Sequence, residues 1–390
     1  MPLRQQIEHQ YNACFDTAPT VIVHSPGRVN LIGEHTDYNE GYVLPAALDL
    51  GTLVAARARA DGRLRAVALR LEERDEADLA DLHPREGPVW TRYVRGVAAL
   101  LLEAGRDLAG ADLLIDGDLP LGGGLSSSAS LELGIAVALS TLAGCAIDRR
   151  ELALLAQRAE HQFAGVQCGI MDQLAVAFGQ AGQALLIDCR SLKIEPVPIP
   201  DTVRIVVLDS GVPRTLAGSA YNRRRAQCEE AVRWLREVYP EVRALRDVTP
   251  EMLQVAVGAT HAPPLQGTLL RRARHVVSED QRVLDSVAAL RRGEVAQFGR
   301  LMVASHASLR DDYEVSGPEL DALTEIAGAT PGVLGARLTG AGFGGCAVAL
   351  AEAERAEEAA ASIAARYREA AGRDGQAYVC TPAEGVRVLT

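Results

Sequence analysis

A glycine- and serine-rich segment, Leu119–Ala129, runs directly into an apolar pattern at helical spacing. Glycines leave backbone amides uncovered, and the first turn of a helix adds unpaired N–H groups and the positive end of the dipole. A glycine-rich turn that opens onto a helix N-terminus is suited to phosphate, although an ordinary loop with a serine N-cap has the same composition. The candidate phosphate-binding residues are Gly122, Gly123, Gly124, Leu125, Ser126, Ser127 and Ser128.

The scarcity of lysine limits which kind of phosphate-binding loop this segment can be. Lys193 is the only lysine of the chain, so the glycine-rich segment does not end in the G-K-[ST] sequence of a Walker-type nucleotide loop. Phosphates bound here would therefore be held by backbone amides, serine hydroxyls, arginine or a metal ion.

The densest polar stretch of the sequence is Arg28–Gly41, which places an arginine, three acids and a histidine among glycines. A solvated loop is the ordinary interpretation, because charged residues usually lie on the surface. However, the apolar pairs Leu31-Ile32 and Val43-Leu44 bracket the polar residues closely. This pattern favours the wall of a binding cleft.

A second glycine turn, Cys168–Gln173, places Asp172 between apolar residues. Asp172 could serve simply as a helix N-cap. Just before this turn, the helix that we expect from Asp148 to Ala164 carries Glu160 near its end.

Composition sets the class of protein. The 390 residues suggest two domains or one large one, and 48% hydrophobic with 23% charged residues is ordinary for a globular chain. A net charge of −11 argues against nucleic acid or an anionic membrane as partner. Seven cysteines without C-x-x-C spacing, and a polar N-terminus without a signal peptide, predict a cytoplasmic protein.

Strands and helices alternate along the chain, which predicts the α/β (α+β) fold class. We expect a short strand at 20–24 that stops at Ser25-Pro26-Gly27, and an acidic loop over 72–86. Every second residue of the stretch 196–200 is proline, and this composition predicts a domain boundary there. The two domains would be 1–195, with the two motifs above, and 196–390, with a third glycine cluster at 335–346.

The three glycine-rich signatures, in this order, resemble the kinase superfamily named for galactokinase, homoserine kinase, mevalonate kinase and phosphomevalonate kinase. Gly122–Ser130 is similar to its nucleotide loop and Leu338–Cys346 to its third motif. Gly27–Tyr38, which reads GRVNLIGEHTDY, resembles the signature of the galactokinase family itself. The resemblance covers essentially the whole chain. It implies a two-domain sugar-kinase fold with the active site in the cleft between the domains.

The resemblance also implies roles for individual residues. Asp172 would be the catalytic base, and Arg28 would stabilise the transition state beside it. Ser128 and Glu160 would hold Mg²⁺, and residues 122–128 would wrap the phosphates of ATP, the co-substrate. The residues implied to bind the sugar are Glu34, His35, Thr36, Asp37, Gly169 and Tyr221.

The activity implied by the resemblance is transfer of the γ-phosphate of ATP to the anomeric hydroxyl of D-galactose, which gives galactose 1-phosphate and ADP. One alternative is the same transfer to another sugar, such as N-acetylgalactosamine or arabinose. A different alternative is a non-catalytic sensor that binds galactose and ATP and contacts a transcriptional regulator. The complete serine segment Gly124–Ala129 favours turnover. We expect a monomer or weak oligomer without a nucleic-acid or membrane partner.

Overall fold

The computed structural model describes residues 3–83, 87–120, 123–212, 217–257 and 265–389. The strands in these ranges are β1 Val21–Asn30, β2 Tyr42–Val43, β3 Pro45–Arg59, β4 Arg63–Ala68, β5 Glu73–Asp78, β6 Gly110–Gly117, β7 Gln183–Asp188, β8 Lys193–Pro198, β9 Val203–Asp209, β10 Val333–Leu338, β11 Cys346–Glu352, β12 Gln376–Cys380 and β13 Arg387–Val388. The helices are α1 Leu3–Phe15, α2 Val89–Glu103, α3 Ser127–Leu142, α4 Arg149–Ala159, α5 Met171–Phe178, α6 Ala217–Val238, α7 Pro250–Val257, α8 Gly267–Arg291, α9 Val295–Asp311, α10 Pro318–Gly328 and α11 Ala356–Ala371.

Five strands from the first half of the chain and β13 from its C-terminal end build a six-stranded sheet in the order β13-β1-β3-β6-β4-β5. Only the β4–β6 pair is parallel among its neighbouring strands. Helix α1 packs on the sheet through Ile7 and Tyr11, whereas α2 and α3 form a larger core with it through residues such as Val94 and Ile135. The sheet therefore holds the N-terminus of α3 in a fixed place.

The second half builds a four-stranded antiparallel sheet in the order β10-β11-β9-β12. Helices α10 and α11 share one core with this sheet, and α8 and α9 share another. A smaller sheet, β2-β7-β8, completes the fold. These sheets and helices confirm the mixed α/β class. None of the helices in the described ranges has the length and apolar character to cross a membrane.

Strand β1 does not stop at Ser25-Pro26-Gly27, so this prediction was wrong. The strand continues to Asn30 because a register shift between Pro26 and Arg28 accommodates the proline in its pairing with β3. At Gly27 the strand has close neighbours, since a Cβ there would lie 2.3 Å from Cδ1 of Leu119 and 3.0 Å from the carbonyl oxygen of Leu125. The strand thus passes directly beneath the glycine-rich segment and delivers Arg28 to it.

Two further expectations need correction. The acidic stretch predicted as a loop contains β5, which pairs with β4 so that arginines face acids, for example Arg65 opposite Glu76. The prolines of 196–200 are not confined to a linker, because Pro196 and Pro198 lie on β8, the edge strand of its sheet. The proposed boundary at 195/196 falls inside this strand, and it stays a prediction.

Candidate active site

A cavity of about 320 Å³ opens between elements of the two halves of the chain. It is lined by nearly all the residues that the sequence motifs single out, together with two from the third glycine motif. The lining residues are Arg28, Glu34, His35, Asp37, Gly124, Ser126, Ser127, Ser128, Glu160, Val166, Cys168, Gly169, Met171, Asp172, Tyr221, Gly340 and Ala341.

Ser126, Ser127 and Ser128, which we call the serine cluster, lie at the beginning of α3. Ser126 occupies the N-cap position in the left-handed region, at φ 58°, and the helix begins at Ser127. The serines at 126–128 line the cavity, so the positive end of the helix points toward it. Leu125 instead buries its side chain in the core. Gly122 lies outside the described residues.

Gly123 lies against the second sheet. A Cβ at this position would come within 3.1 Å of Sγ of Cys346 and 3.6 Å of Oδ2 of Asp209. The glycine-rich segment therefore touches β9 and β11 on one side while Ser126–Ser128 face the cavity on the other.

Asp172 and Arg28 form an ion pair in the cavity. The guanidinium Nε and Nη2 lie 2.8 and 2.7 Å from Oδ1 of Asp172, and Nη1 donates to the carbonyl of Gly124 at 2.8 Å. The hydroxyl of Ser126 donates to Oδ2 of Asp172 at 2.6 Å. The N-cap alternative for Asp172 is wrong, because Ile170 is the N-cap of α5 and both Asp172 oxygens have other donors.

Glu160 lies at the end of α4, where a π-helical turn, Glu160–Ala164, replaces the regular helix that we expected. Its Oε1 accepts from the hydroxyl of Ser128 at 3.2 Å, and its Oε2 accepts from the amide of Gln173 at 2.9 Å. Burial, together with the charge of Asp172, raises the pKa of Glu160 to about 7. A cation beside this carboxylate would remove the penalty of burying its charge.

Glu34 reaches the cavity from the segment that follows β1. Its Oε1 accepts from the backbone N–H of Gly340 at 2.6 Å and from the hydroxyl of Thr339 at 3.1 Å. The guanidinium of the fully buried Arg337 lies 3.5 Å from the same oxygen. The third glycine motif thus holds Glu34 from the second half of the chain.

Asp37 and Gly169 lie against each other in the cavity wall. A Cβ on Gly169 would come within 1.8 Å of Oδ2 of Asp37, so only glycine leaves room for this carboxylate. Burial, with the nearby charge of Asp172, raises the pKa of Asp37 to about 7. Because a buried charge is costly without hydrogen bonds, hydroxyl groups of a ligand that donate to Asp37 would stabilise its carboxylate.

Aromatic rings surround His35. Its ring centroid lies 4.7 Å from that of Tyr313 and 5.7 Å from that of Tyr221. Its Nδ1 lies 2.8 Å from the hydroxyl of Tyr38. Burial lowers the pKa of His35 well below its ordinary value, so the ring is neutral at pH 7.

Thr36 is the one described sugar-site candidate that does not line the cavity. Its hydroxyl is fully buried and lies 2.8 Å from the carbonyl of Gly33 and 2.6 Å from that of Tyr42. Thr36 therefore stabilises the turn between Gly33 and Tyr42, and its neighbours His35 and Asp37 line the cavity.

Sequence reasoning missed several residues around the site. Glu132 on α3 is fully buried, and burial, together with the charge of Glu160, raises its pKa well above the ordinary value. A glutamate inside the apolar pattern of α3 was the available signal. A second cavity, of about 240 Å³, was also missed; its wall includes Trp90, Tyr93, Ser127 and Ser128.

Models of one class of kinases, the GHMP kinases, match both halves of the chain. The model of the GHMP kinases N terminal domain matches residues 92–180, and that of the GHMP kinases C terminal matches residues 286–369. A model of the galactokinase galactose-binding signature matches residues 9–58.

Relatives match over almost the whole length. A galactokinase of Roseiflexus sp. (strain RS-1) is 50% identical, over 98% of this chain and 96% of its own length. A galactokinase of Chloroflexus aggregans is 52% identical, over 95% and 94%. The crystal structure of Lactococcus lactis galactokinase complexed with galactose is 38% identical and has a TM-score of 0.92, covering 99% of this chain and all of that one. The chain belongs to the galactokinase family.

Proposed function

We propose that the protein transfers the γ-phosphate of ATP to the anomeric hydroxyl of D-galactose, giving galactose 1-phosphate and ADP. The observation that carries the proposal is the Arg28–Asp172 pair, which shares one cavity with the serine cluster and with two further carboxylates, Glu34 and Asp37. An acid and a fixed cation beside a phosphate-binding helix end meet the main needs of phosphoryl transfer.

The sugar would occupy the part of the cavity between Glu34, His35, Asp37, Gly169 and Tyr221. Carboxylates accept hydrogen bonds from sugar hydroxyls, and the tyrosine ring offers an apolar face for the ring carbons. Glu34 uses Oε1 for Gly340 and Thr339, which leaves Oε2 for a ligand. The Lactococcus lactis relative was crystallised with galactose, which supports this choice of sugar.

ATP would span the two cavities. Both are lined by Ser127 and Ser128, so a molecule that crosses the N-terminus of α3 enters each of them. The phosphates would lie on Gly123–Ser128, with Gly122 as a further expected contact. The adenine ring of ATP would enter the second cavity, where the aromatic rings of Trp90 and Tyr93 suit a planar heterocycle.

The chemical step follows from this placement. Asp172 accepts the proton of the anomeric hydroxyl as that oxygen forms its bond to the γ-phosphorus, and the bond to the β,γ-bridging oxygen breaks to release ADP. Ser126 and Arg28 fix the two carboxylate oxygens so that the acceptor is already oriented. Arg28 also carries positive charge at the place where negative charge develops.

Ser128 and Glu160 would hold Mg²⁺, which supplies charge neutralisation at the phosphates when bound. The residues fit this ion: a hydroxyl and a carboxylate lie 3.2 Å apart at the phosphate-binding helix end, and no cationic side chain of the described residues is bonded to the buried carboxylate. Within the described ranges no group of three or more His, Cys, Asp and Glu side chains could hold a metal. Mg²⁺ commonly binds to one or two protein groups with phosphates and waters, so this donor set suffices.

The proposal includes a cytoplasmic location and a monomer or weak oligomer. The seven cysteines are all free thiols, which supports a reducing compartment.

The reaction is tested by ³¹P NMR of the purified protein with ATP, Mg²⁺ and galactose. A new phosphate monoester coupled to the anomeric proton, formed together with ADP, is expected. A phosphate on another sugar carbon, or ATP hydrolysis that does not depend on galactose, would contradict the proposal.

A further inference from the structure

Helix α8 contacts the segment 33–42, which carries the sugar-site candidates Glu34, His35 and Asp37. We call this the sugar segment. Three side chains of α8 bind its backbone. The contacts are His275 Nε2 to the carbonyl of Glu34 at 3.1 Å, Glu279 Oε1 to the N–H of Gly33 at 2.9 Å, and Asp280 Oδ1 to the N–H of Tyr42 at 2.7 Å.

The contact from His275 has a defined direction. A carbonyl can only accept, so Nε2 carries the proton and donates to Glu34. Nδ1 then accepts from the hydroxyl of Ser308 on α9, 2.9 Å away. Burial lowers the pKa of His275 to about 4, so the neutral ring that this tautomer requires is present at pH 7.

Glu279 is fully buried and fully bonded. Its Oε1 also accepts from the hydroxyl of Ser305 at 2.6 Å, and its Oε2 accepts from Nε of Arg282 at 2.7 Å. Burial alone would raise its pKa, but the charges of Arg282 and Arg337 and the hydrogen bond from Ser305 hold the pKa of Glu279 at about 2. Gly33, whose φ is 97°, has no room for a side chain because its Cβ would lie 2.8 Å from Val283.

These contacts fix Glu34 from two sides. His275 and Glu279 lie one helical turn apart and hold the carbonyl of Glu34 and the N–H of Gly33, which are the two ends of a single dipeptide. The third glycine motif holds the Glu34 side chain through Gly340. Within the described part of the chain, the contacts to the Glu34 carboxylate all go to Oε1, which leaves Oε2 of Glu34 for the cavity.

We propose that His275 and Glu279 are positioning residues for the sugar, which hold the peptide of Glu34 so that its carboxylate meets the substrate. The proposal rests on the proposed function, and it adds α8 to the parts of the chain that determine affinity for galactose. Neither residue lines the cavity, so they act through Glu34. Affinity for ATP should not depend on them, because the serine cluster is held by other elements.

A pair of variants tests the role of His275. His275→Phe keeps a ring against Tyr313, whose centroid lies 4.5 Å away, but removes the donor to Glu34. We expect the KM for galactose, and its Kd measured calorimetrically without ATP, to rise about tenfold or more, because a buried carbonyl loses its partner. The KM for ATP should stay within about twofold. His275→Gln, whose Nε2 can donate at the same place, should recover most of the lost affinity.

Val287→Ala is the matched control, since Val287 is also buried on α8 but its side chain has no group that can bond the backbone of the sugar segment. An unchanged galactose KM in His275→Phe, an equal rise in Val287→Ala, or equal losses in the Phe and Gln variants would overturn the proposal.

If His275→Phe does not fold, Ser308→Ala replaces it: loss of the hydroxyl that fixes the tautomer should raise the galactose KM a few-fold, and no change would contradict the role. A wild-type protein without galactose-dependent ADP release would instead refute the proposed function.

Discussion

The carboxylate of Asp172 lies between the guanidinium of Arg28 and the hydroxyl of Ser126, each bonded to a different oxygen. Arg28 comes from β1, Ser126 from the N-cap of α3 and Asp172 from the first turn of α5. Three elements far apart in sequence therefore fix one acceptor beside a helix N-terminus. This geometry allows a proton acceptor and a phosphate-stabilising cation to serve the same reacting oxygen.

Asp172→Asn should remove most turnover and leave galactose binding measurable. The amide keeps the size of the carboxylate and cannot accept the proton, and a positioned general base typically contributes about 10²–10⁴-fold to the rate. Steady-state kcat with galactose and ATP, together with calorimetric galactose binding, gives the answer. A kcat near that of the wild type would exclude Asp172 as the base.

Arg28→Ala should lower kcat more than it weakens galactose binding. Negative charge on the transferred group is greatest in the transition state, and loss of one such stabilising donor costs about 10²–10³-fold in kcat. Arg28→Lys is the control, because it keeps the charge while losing the fork that binds both Asp172 and Gly124. We expect it to recover part of kcat. A rise in KM alone would make Arg28 a ground-state binder.

Glu160→Gln should raise the Mg²⁺ concentration needed for half-maximal activity and weaken ATP binding, while galactose affinity stays as in the wild type. The amide keeps one oxygen near Ser128 but loses the charge that favours a divalent cation. Activity titrated with Mg²⁺ at fixed ATP measures the shift. Equal Mg²⁺ dependence in variant and wild type would return Glu160 to a purely structural role.

How far the sequence predicts this site depends on the distance over which each contact acts. The glycine and serine segment, the polar stretch after Pro26 and the turn around Gly169 carry their chemistry within a few residues, so composition and spacing identify them. Many strand and helix positions follow from periodicity, but β1 continues past Pro26 through a register shift, and β5 lies in the stretch predicted as an acidic loop. The continuation of β1 depends on tertiary contacts, because Gly27 lies directly against Leu119 and Leu125.

Contacts between the two halves lie outside what sequence patterns can show. Glu279 is 246 residues from Gly33, whose amide it binds, and nothing near either residue indicates the other. Arg337 and Gly340 reach Glu34 over similar separations. The second cavity was missed although Trp90 and Ser127 both lie in the first half, because they meet only after α2 and α3 pack on the sheet.

The activity should also depend on pH through Asp37. Burial raises the pKa of this group to about 7, so the carboxylate is protonated below that value and ionised above it. Only the ionised form accepts hydrogen bonds with both oxygens, so kcat/KM for galactose should fall about tenfold per pH unit below 7. Asp37→Asn should lose this acidic limb along with most activity. In Glu160→Gln at saturating Mg²⁺ and ATP the limb should persist; its disappearance there would assign the titration to Glu160.

The ratio of kcat/KM for galactose to that for glucose, measured by ADP release with wild type and Asp37→Ala, tests the central claim most directly. The two sugars differ only in the direction of the 4-hydroxyl. Turning it away from a buried carboxylate leaves that group unpaired, and sites that bond a substrate hydroxyl can discriminate by about 10⁴-fold. We predict a ratio of at least about 10³, with Asp37→Ala losing galactose activity and gaining none on glucose. Comparable values for the two sugars, or an Asp37→Ala protein with wild-type activity, would contradict both the site and the galactose assignment.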